Sequence, residues 1–384
     1  MPDAEPGVDG CRAGPGRGPA DTLGGVKGLI LSGGSGRRLR PLTHTSAKQL
    51  VPIANVPILH YVVADLVGVG ITDIGIVVGD TGDEVRASVG NGSRWGASVT
   101  YIDQEAPLGL AHAVLIAGSF LGEEPFAMYL GDNMFEDSLD EVVDGFDGSV
   151  AARLLLAHVD DPSSFGVAGL DAEGSITTLV EKPADPPSDL ALVGVYLFGP
   201  RIHEAVRAIG PSARGELEIT DAIQWLLEVG EAVEHRVLDG WWIDTGKKDP
   251  LLACNRLVLD RLDGDGVVVD DGAEVVDSTL VGPVVVAAGA RILHSTVGPY
   301  VAVGGGCSIR RSTVEHSVLM EGASVVDLDR LTASVLGREA EVAGIPGECV
   351  GLSLLLGDHS VVDVAPVGPD LGDVSVGAPG GTGG

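Results

Sequence analysis

Near Asp263 the apolar pattern of the chain changes period, and no other feature limits the fold as much. From Val26 to about Asp260, short β-branched runs alternate with longer mixed segments, the pattern of helices covering a mostly parallel sheet. Beyond that point helical spacing disappears. In VVVDDGAEVVDSTLVGPVVVAAGARILHSTVGPYVAVGGG, small and β-branched residues recur at a period near six. Coils that thin bury no core alone and gain stability by stacking, as in a parallel β-helix. A left-handed coil is expected, although the repeat itself does not fix the hand. The 384 residues also exceed the usual size of a single-core domain. We therefore expect an α/β domain with a Rossmann-like, mostly parallel sheet over 27–260 and a β-helix over 261–366. A disordered extension (1–26) and a flexible tail (367–384) are expected to flank them.

Within the first domain, buried strands are expected at Gly28–Leu31, Asp73–Val78, Ser98–Ile102, Phe126–Leu130 and Leu154–His158. Pro57 to Val69 carries helical spacing, with Gly70 placed to close the helix. Further helix is expected at Glu204–Ala208 and Thr220–Glu228, with Pro211 to Gly215 as the loop between them.

Charge narrows the partners. Asp and Glu total 55 against 24 Lys and Arg, a formal charge of −31, which repels nucleic acid and anionic membrane. Any phosphate must be held locally by a few cations, backbone N–H groups and a metal. Cys11, Cys254, Cys307 and Cys349 are scattered, with no zinc or disulfide spacing, and a reducing cytoplasm is the expected compartment. No run of about 18 apolar residues is present, so no membrane span is expected.

Strand Gly28–Leu31 runs into Ser32-Gly33-Gly34-Ser35-Gly36-Arg37-Arg38-Leu39-Arg40-Pro41. Glycines let successive N–H groups point into one concavity, and arginines add forked donors for phosphate oxygens. The loop is neither a Walker loop, lacking Gly-Lys-Ser/Thr, nor a dinucleotide fingerprint, since Leu39 replaces the third glycine. Read alone, such a turn is as often structural as functional; the arginine cluster favours a triphosphate cradle. Lys48, in Ser46-Ala47-Lys48-Gln49-Leu50-Val51-Pro52, read alone is a solvated loop lysine.

The segment GGSGRRLRP followed by KQLVPIANVPIL resembles the signature of sugar-nucleotide pyrophosphorylases. DQEAPLGLAHA, YLGDN, SFGVAG, LVEKPADPPSDLALVGVYLF, ARGELEITDAIQWL and GWWIDTGK follow in order. Within that family the chain is most similar to the long-form glucose-1-phosphate thymidylyltransferases, whose nucleotidyltransferase domain precedes a β-helix. The resemblance implies Mg²⁺-assisted, in-line transfer of a thymidylyl group from dTTP to glucose 1-phosphate, giving dTDP-glucose and pyrophosphate.

It also implies roles for individual residues. Leu31, Gly33, Gly34, Ser35 and Gly36 would bind the nucleotide, with Gln104 and Gly109 reading the pyrimidine edge. Arg38 would neutralise the departing pyrophosphate, and Lys48 would position the phosphate under attack. Gly166 and Glu181 would hold the sugar, and Lys182 would clamp its phosphate. Asp132 and Asp244 would bind Mg²⁺. In isolation each of these two reads as a turn-forming Asp at a strand end, and Gly166 as a strand-end glycine.

Arg37 departs from the family pattern, which has Thr there, and it would either tighten triphosphate binding or crowd the loop. A noncatalytic sugar-nucleotide-binding regulatory subunit and a uridylyltransferase are the alternatives within the fold. Acyl transfer on the β-helix, with His294, His316 or His359 as base, is the alternative outside it; these histidines lack any second fingerprint. The exposed ends of a β-helix also lead us to expect a homo-oligomer.

Overall fold

Lys27–Ser32 forms the central strand, β1, of a nine-stranded sheet. Its residues Leu29, Ile30 and Leu31 are all buried, so the run is continuously apolar rather than alternating. The computed structural model describes residues 25–344 and 352–364, apart from Ser35, Thr45, Asp137 and Ser138. The expected extension, except for Gly25 and Val26, and the expected tail lie outside the described residues, as does the candidate Ser35.

The other strands of the first domain are β2 (Asp73–Val78), β3 (Ser98–Asp103), β4 (Phe126–Leu130), β5 (Asn133–Phe135) and β6 (Ala152–His158). β7 (Gly166–Leu170), β8 (Ile176–Glu181), β9 (Leu190–Phe198), β10 (Val233–Val237) and β11 (Trp242–Asp244) follow, and a short antiparallel ribbon of Pro52–Ile53 and Val56–Pro57 lies apart from them. The sheet order is β8-β7-β9-β4-β1-β2-β3, with β6 on β9 and β10 on β6. β4, β1, β2 and β3 are mutually parallel, whereas β9 runs antiparallel to β4, β6 and β7. All five expected strands are present, the last beginning two residues earlier, at Ala152. The helix Ile58–Gly68 fills the expected segment, and Gly70 follows it at φ +86°. Ile202–Ala208 and Ile219–Glu228 are the other expected helices. Apolar clusters cover both sheet faces, one around Phe126, Met128 and Phe198 and the other around Tyr129, Phe135 and Leu59.

After the helix Lys248–Leu259, short parallel strands stack into three sheets, of six, six and four strands among the described residues. Val267 pairs with Val284, which pairs with Val301, and corner serines bond one another at a spacing of 17 residues. Three sides of a 17-residue coil account for the period near six. Only small and branched residues such as Val286, Ala290, Ile292, Val303 and Ile309 fill the interior. His294, His316 and His359 sit at the corners with φ between 45° and 57°, a backbone region where histidine is enriched among non-glycine residues. Their positions are explained by shape.

One face of the β-helix joins the first domain through a shared core. Val285, Ala302, Val318, Met320 and Val335 pack with Leu39, Val51, Ile53, Ile58, Leu251 and Val258. Burying a side chain of this size contributes roughly 1.5–3 kcal/mol, so parting the domains would be costly. No helix among the described residues is long and apolar enough to cross a membrane.

Candidate active site

The carboxyl ends of β1, β2, β3 and β4 open on one side of the sheet, the usual place for a ligand crevice in such folds. β1 delivers the chain into Gly33–Gly36. Gly36 adopts φ +57°, and its carbonyl accepts a hydrogen bond from Thr43 Oγ1 at 2.7 Å. A methyl group on Gly36 would lie 2.8 Å from Thr43 Cγ2, so only glycine fits this turn. The short turn Arg37–Leu39 buries Leu39 in the shared core, which leaves Arg37, Arg38 and Arg40 exposed. The loop passes close to two of the expected ligands. A Cβ on Gly33 would sit 2.9 Å from Gln104 Oε1, and one on Gly34 would sit 3.1 Å from Lys48 Nζ. The carbonyl of Leu31 accepts from Gly131 N at 3.0 Å, tying the loop's start to the strand end that carries Asp132.

Asp132 and Asp244 are brought together by the two-stranded ribbon of β5 and β11. Asp244 lies opposite Asn133, and Thr245 donates to the Asp132 carbonyl through N at 3.1 Å and Oγ1 at 2.7 Å. Both carboxylates are paired with cations from the loop side. Lys48 Nζ donates to Asp132, and Arg38 Nη2 meets Asp244 Oδ2 at 3.2 Å. Asn133 Nδ2 donates to Asp132 Oδ1 at 3.3 Å, while its own oxygen accepts from Trp242 Nε1 at 2.6 Å. Two adjacent carboxylates suit Mg²⁺, which binds one or two and fills its octahedron with phosphate oxygens and water. No group of three or more Asp, Glu, His or Cys side chains placed to hold a metal ion by themselves occurs among the described residues. The donor set therefore fits a cation shared with a phosphate substrate.

From this point a cleft of about 960 Å³ runs toward Glu181. Trp242, Asp244, Gly166, Lys182 and Thr220 line it, and Phe165, beside Gly166, packs edge-on against Trp242 with ring centroids 5.2 Å apart. Glu181 ends β8 and is held on three sides: Arg214 Nη2 at 3.0 Å, Thr220 Oγ1 at 3.2 Å and Lys182 Nζ at 3.1 Å. Arg214 is itself anchored on buried Glu218 at 2.8 Å. Crowded carboxylates have a consequence nearby: burial first, then the charges of Glu218 and Glu181, pushes the Asp221 carboxyl above its usual range. Gly166 faces the same group, since a Cβ there would lie 2.6 Å from Thr220 Cγ2 and 3.2 Å from Glu181 Oε2.

Residues 27–261 match the family model described as nucleotidyl transferase. The chain belongs to the nucleotidyl transferase family. It is 50% identical to the glucose-1-phosphate thymidylyltransferase of Streptomyces griseus, over 88% of this chain and 100% of that protein. The protein of the same name from Streptomyces antibioticus is 48% identical, over 88% of this chain and 99% of its own length. Both spans reach into the β-helix. A crystal structure of a Bacillus anthracis chain assigned as a glucose-1-phosphate thymidylyltransferase, in complex with sucrose, superposes with a TM-score of 0.57. It is 37% identical and covers 61% of this chain and 95% of its own.

In this nucleotidyl transferase, Arg38, Gly166, Glu181, Lys182 and Asp244 line the cleft, while Gly33, Gly34, Lys48, Gln104, Gly109 and Asp132 are not among its lining residues. Gly109 opens the helix Leu110–Ile116 at φ +106°, where a Cβ would lie 2.3 Å from the Leu217 carbonyl oxygen. Gln104 Nε2 reaches Gly109 O at 3.4 Å and His112 Nδ1 at 3.0 Å. Arg37 lies on the surface and makes no side-chain hydrogen bond or ion pair among the described residues. The cleft is lined by Arg38 instead.

Sequence reasoning missed His112, Asn133, Arg214, Thr220 and Gln49. Gln49 is 1% exposed, and neither of its amide atoms has a partner. Leaving such a group unpaired costs about 1–3 kcal/mol, a mark of a position reserved for a ligand or water. Its place beside Lys48 in KQLVP was the available signal, and Arg214 and Thr220 stood in ARGELEITD.

Proposed function

We propose that this chain transfers the thymidylyl group of dTTP to glucose 1-phosphate, forming dTDP-glucose and pyrophosphate. One observation carries the reading: two cations beside the glycine loop are paired with the carboxylates of Asp132 and Asp244, and the Arg38–Asp244 pair lines the cleft. The activity named for the two Streptomyces relatives supports the choice of substrates.

Glucose 1-phosphate is already an anion at neutral pH, so attack on the α-phosphorus needs no general base; the barrier is repulsion between two anions. Asp132 and Asp244 would hold Mg²⁺, which when bound supplies charge neutralisation and a template for the phosphates. Lys48 then orients the α-phosphate, Arg38 meets the charge growing on pyrophosphate, and backbone N–H groups of Gly33, Gly34 and Gly36 hold the triphosphate. Gln104 presents an amide that both donates and accepts, as an imide edge requires, and His112 fixes its orientation. Gly109 leaves room at that edge. At the far end Glu181 accepts from sugar hydroxyls, Lys182 holds the sugar phosphate, and Gly166 lets the ring approach. Buried Cys254 and Cys307 accord with a reducing, cytoplasmic location, and the exposed Val268 and Val276 of the first coil with a homo-oligomer.

Pyrophosphate release tests the reading, with Mg²⁺, glucose 1-phosphate and each of dTTP, UTP, GTP, ATP and CTP. Release that requires both substrates and is fastest with dTTP is the expected result. UTP should follow most closely, because a thymine methyl adds only a modest apolar contact. Folded protein that binds dTTP yet releases nothing would instead be a noncatalytic nucleotide-binding subunit.

A further inference from the structure

The segment between the glycine loop and Lys48 is held from below by the far end of the β-helix. Ser46, 3% exposed, donates through Oγ to Asp358 Oδ2 at 3.2 Å and accepts from Arg338 Nη1 at 2.8 Å. Asp358 Oδ1 in turn accepts from the Arg338 backbone N–H at 2.8 Å, so one hydroxyl, one guanidinium and one carboxylate close a ring of bonds. Close by, a Cβ on Gly357 would lie 3.0 Å from the Pro41 carbonyl oxygen, so the backbone of this coil touches the loop itself.

A second strap reaches the other half of the site. Lys248, four residues after Asp244, donates through Nζ to Ala333 O at 3.0 Å and to Ser353 Oγ at 2.9 Å. Further along the first segment, Asn55 Nδ2 donates to Val303 O at 2.8 Å. Ala333, Arg338, Ser353 and Asp358 thus touch both arms that carry the paired charges, Lys48 on one and Asp244 on the other.

We propose that the last two described coils of the β-helix form a positioning element of the active site, with Arg338 on one and Asp358 on the next fixing the Ser46–Lys48 segment. The proposal rests on assigning the triphosphate to the Lys48 end of the cleft. Lys48 is two residues from Ser46 on a tight turn, so tilting the segment moves its ammonium relative to Asp132 and to the phosphate under attack. Misplacement of a positioning group by about 1 Å is enough to lower a rate by up to about a hundredfold. Neither Arg338 nor Asp358 need touch substrate.

The test uses the full chain and compares Arg338→Ala, Arg338→Lys and Asp358→Asn with Arg291→Ala. Arg291 pairs with Glu274 at 2.8 Å on the same β-helix and serves as the control for surface ion pairs in general. We expect Arg338→Ala to lower kcat about tenfold, leave KM for glucose 1-phosphate within about twofold and raise amide exchange in residues 41–50 alone. Arg338→Lys should recover most of the rate, and Arg291→Ala should match the parent. Unchanged kcat and unchanged exchange at 41–50 in Arg338→Ala would overturn the proposal, as would an equal loss in Arg291→Ala. Should Arg338→Ala fail to fold, Asp358→Asn gives the same reading with nearly unchanged side-chain volume. If the parent releases no pyrophosphate from dTTP and glucose 1-phosphate, the assigned reaction fails, and exchange at 41–50 still decides whether the coil positions the loop.

Discussion

The two ends of the cleft are charged in different ways. At the end we assign to the phosphates, Lys48 and Arg38 are each paired with one carboxylate across a gap between separate chain segments. On the proposed roles each of those pairs would open for the cations to reach phosphate and the carboxylates to reach metal, so this end would exchange partners when it fills. At the sugar end, Glu181 is held by Arg214, Thr220 and Lys182 at once, and Arg214 is fixed by buried Glu218. On the proposed roles only Lys182 would leave Glu181, for the sugar phosphate, while Arg214 and Thr220 would keep the carboxylate in place. Catalytic rate should therefore depend on the first end and substrate affinity on the second.

The largest effect should come from Asp132→Asn. Removing one carboxylate charge leaves the side-chain volume nearly unchanged and should lower kcat about a thousandfold, measured as pyrophosphate release on protein that melts like the parent. A fall confined to KM would break the contrast. Next, Gly166→Ala puts a methyl group 2.6 Å from Thr220 Cγ2 and should raise KM for glucose 1-phosphate about a hundredfold while sparing KM for dTTP. Equal changes in both KM values would show that the ends are not separable. Arg214→Ala should raise the same KM by about tenfold, because Glu181 loses one of its holders but keeps Thr220 and Lys182.

The smallest effect on activity should come from a titration at neither end. His60 is 4% exposed, bonded to Ser88 Oγ at 2.8 Å, and its pKa is lowered to about 4 by burial first and the Arg94 charge second. Its neutral form is therefore the one the fold accommodates. Stability from this group is complete above about pH 6.5 and is lost as pH falls toward 4, by up to about 3 kcal/mol. Thermal melts of parent and His60→Gln at pH 7 and 4.5 should show a smaller acid loss in the variant, with kcat at pH 7 unchanged.

Much of the candidate site could be proposed from sequence because its residues sit in contiguous motifs: the glycines beside Arg38, Asp132 at a strand end, Glu181 beside Lys182. Strands buried on both faces, such as Asp73–Val78, declare themselves by unbroken apolar runs. The pairings were not legible. Lys48 and Asp132 are 84 residues apart, and Arg38 and Asp244 are 206 apart. Periodicity reports which side chains avoid water; it carries no record of which distant charges meet. The β-helix shows the same limit. Its rhythm was visible, but corners at positive φ are filled by His294, Tyr300 and Arg311, residues with side chains where glycine would be the easier choice.

Ser46 and Asp358 lie 312 residues apart, and that separation sets a clock on synthesis. A growing polypeptide carries its glycine loop and Lys48 into solution long before the residues that brace them have left the ribosome. Until the coil that carries Asp358 emerges and docks, the segment before Lys48 lacks its brace, so nucleotide turnover should reach its full rate only with molecules translated at least through Asp358. At the usual pace of roughly 5–20 residues per second, that delay lasts on the order of 15–60 seconds.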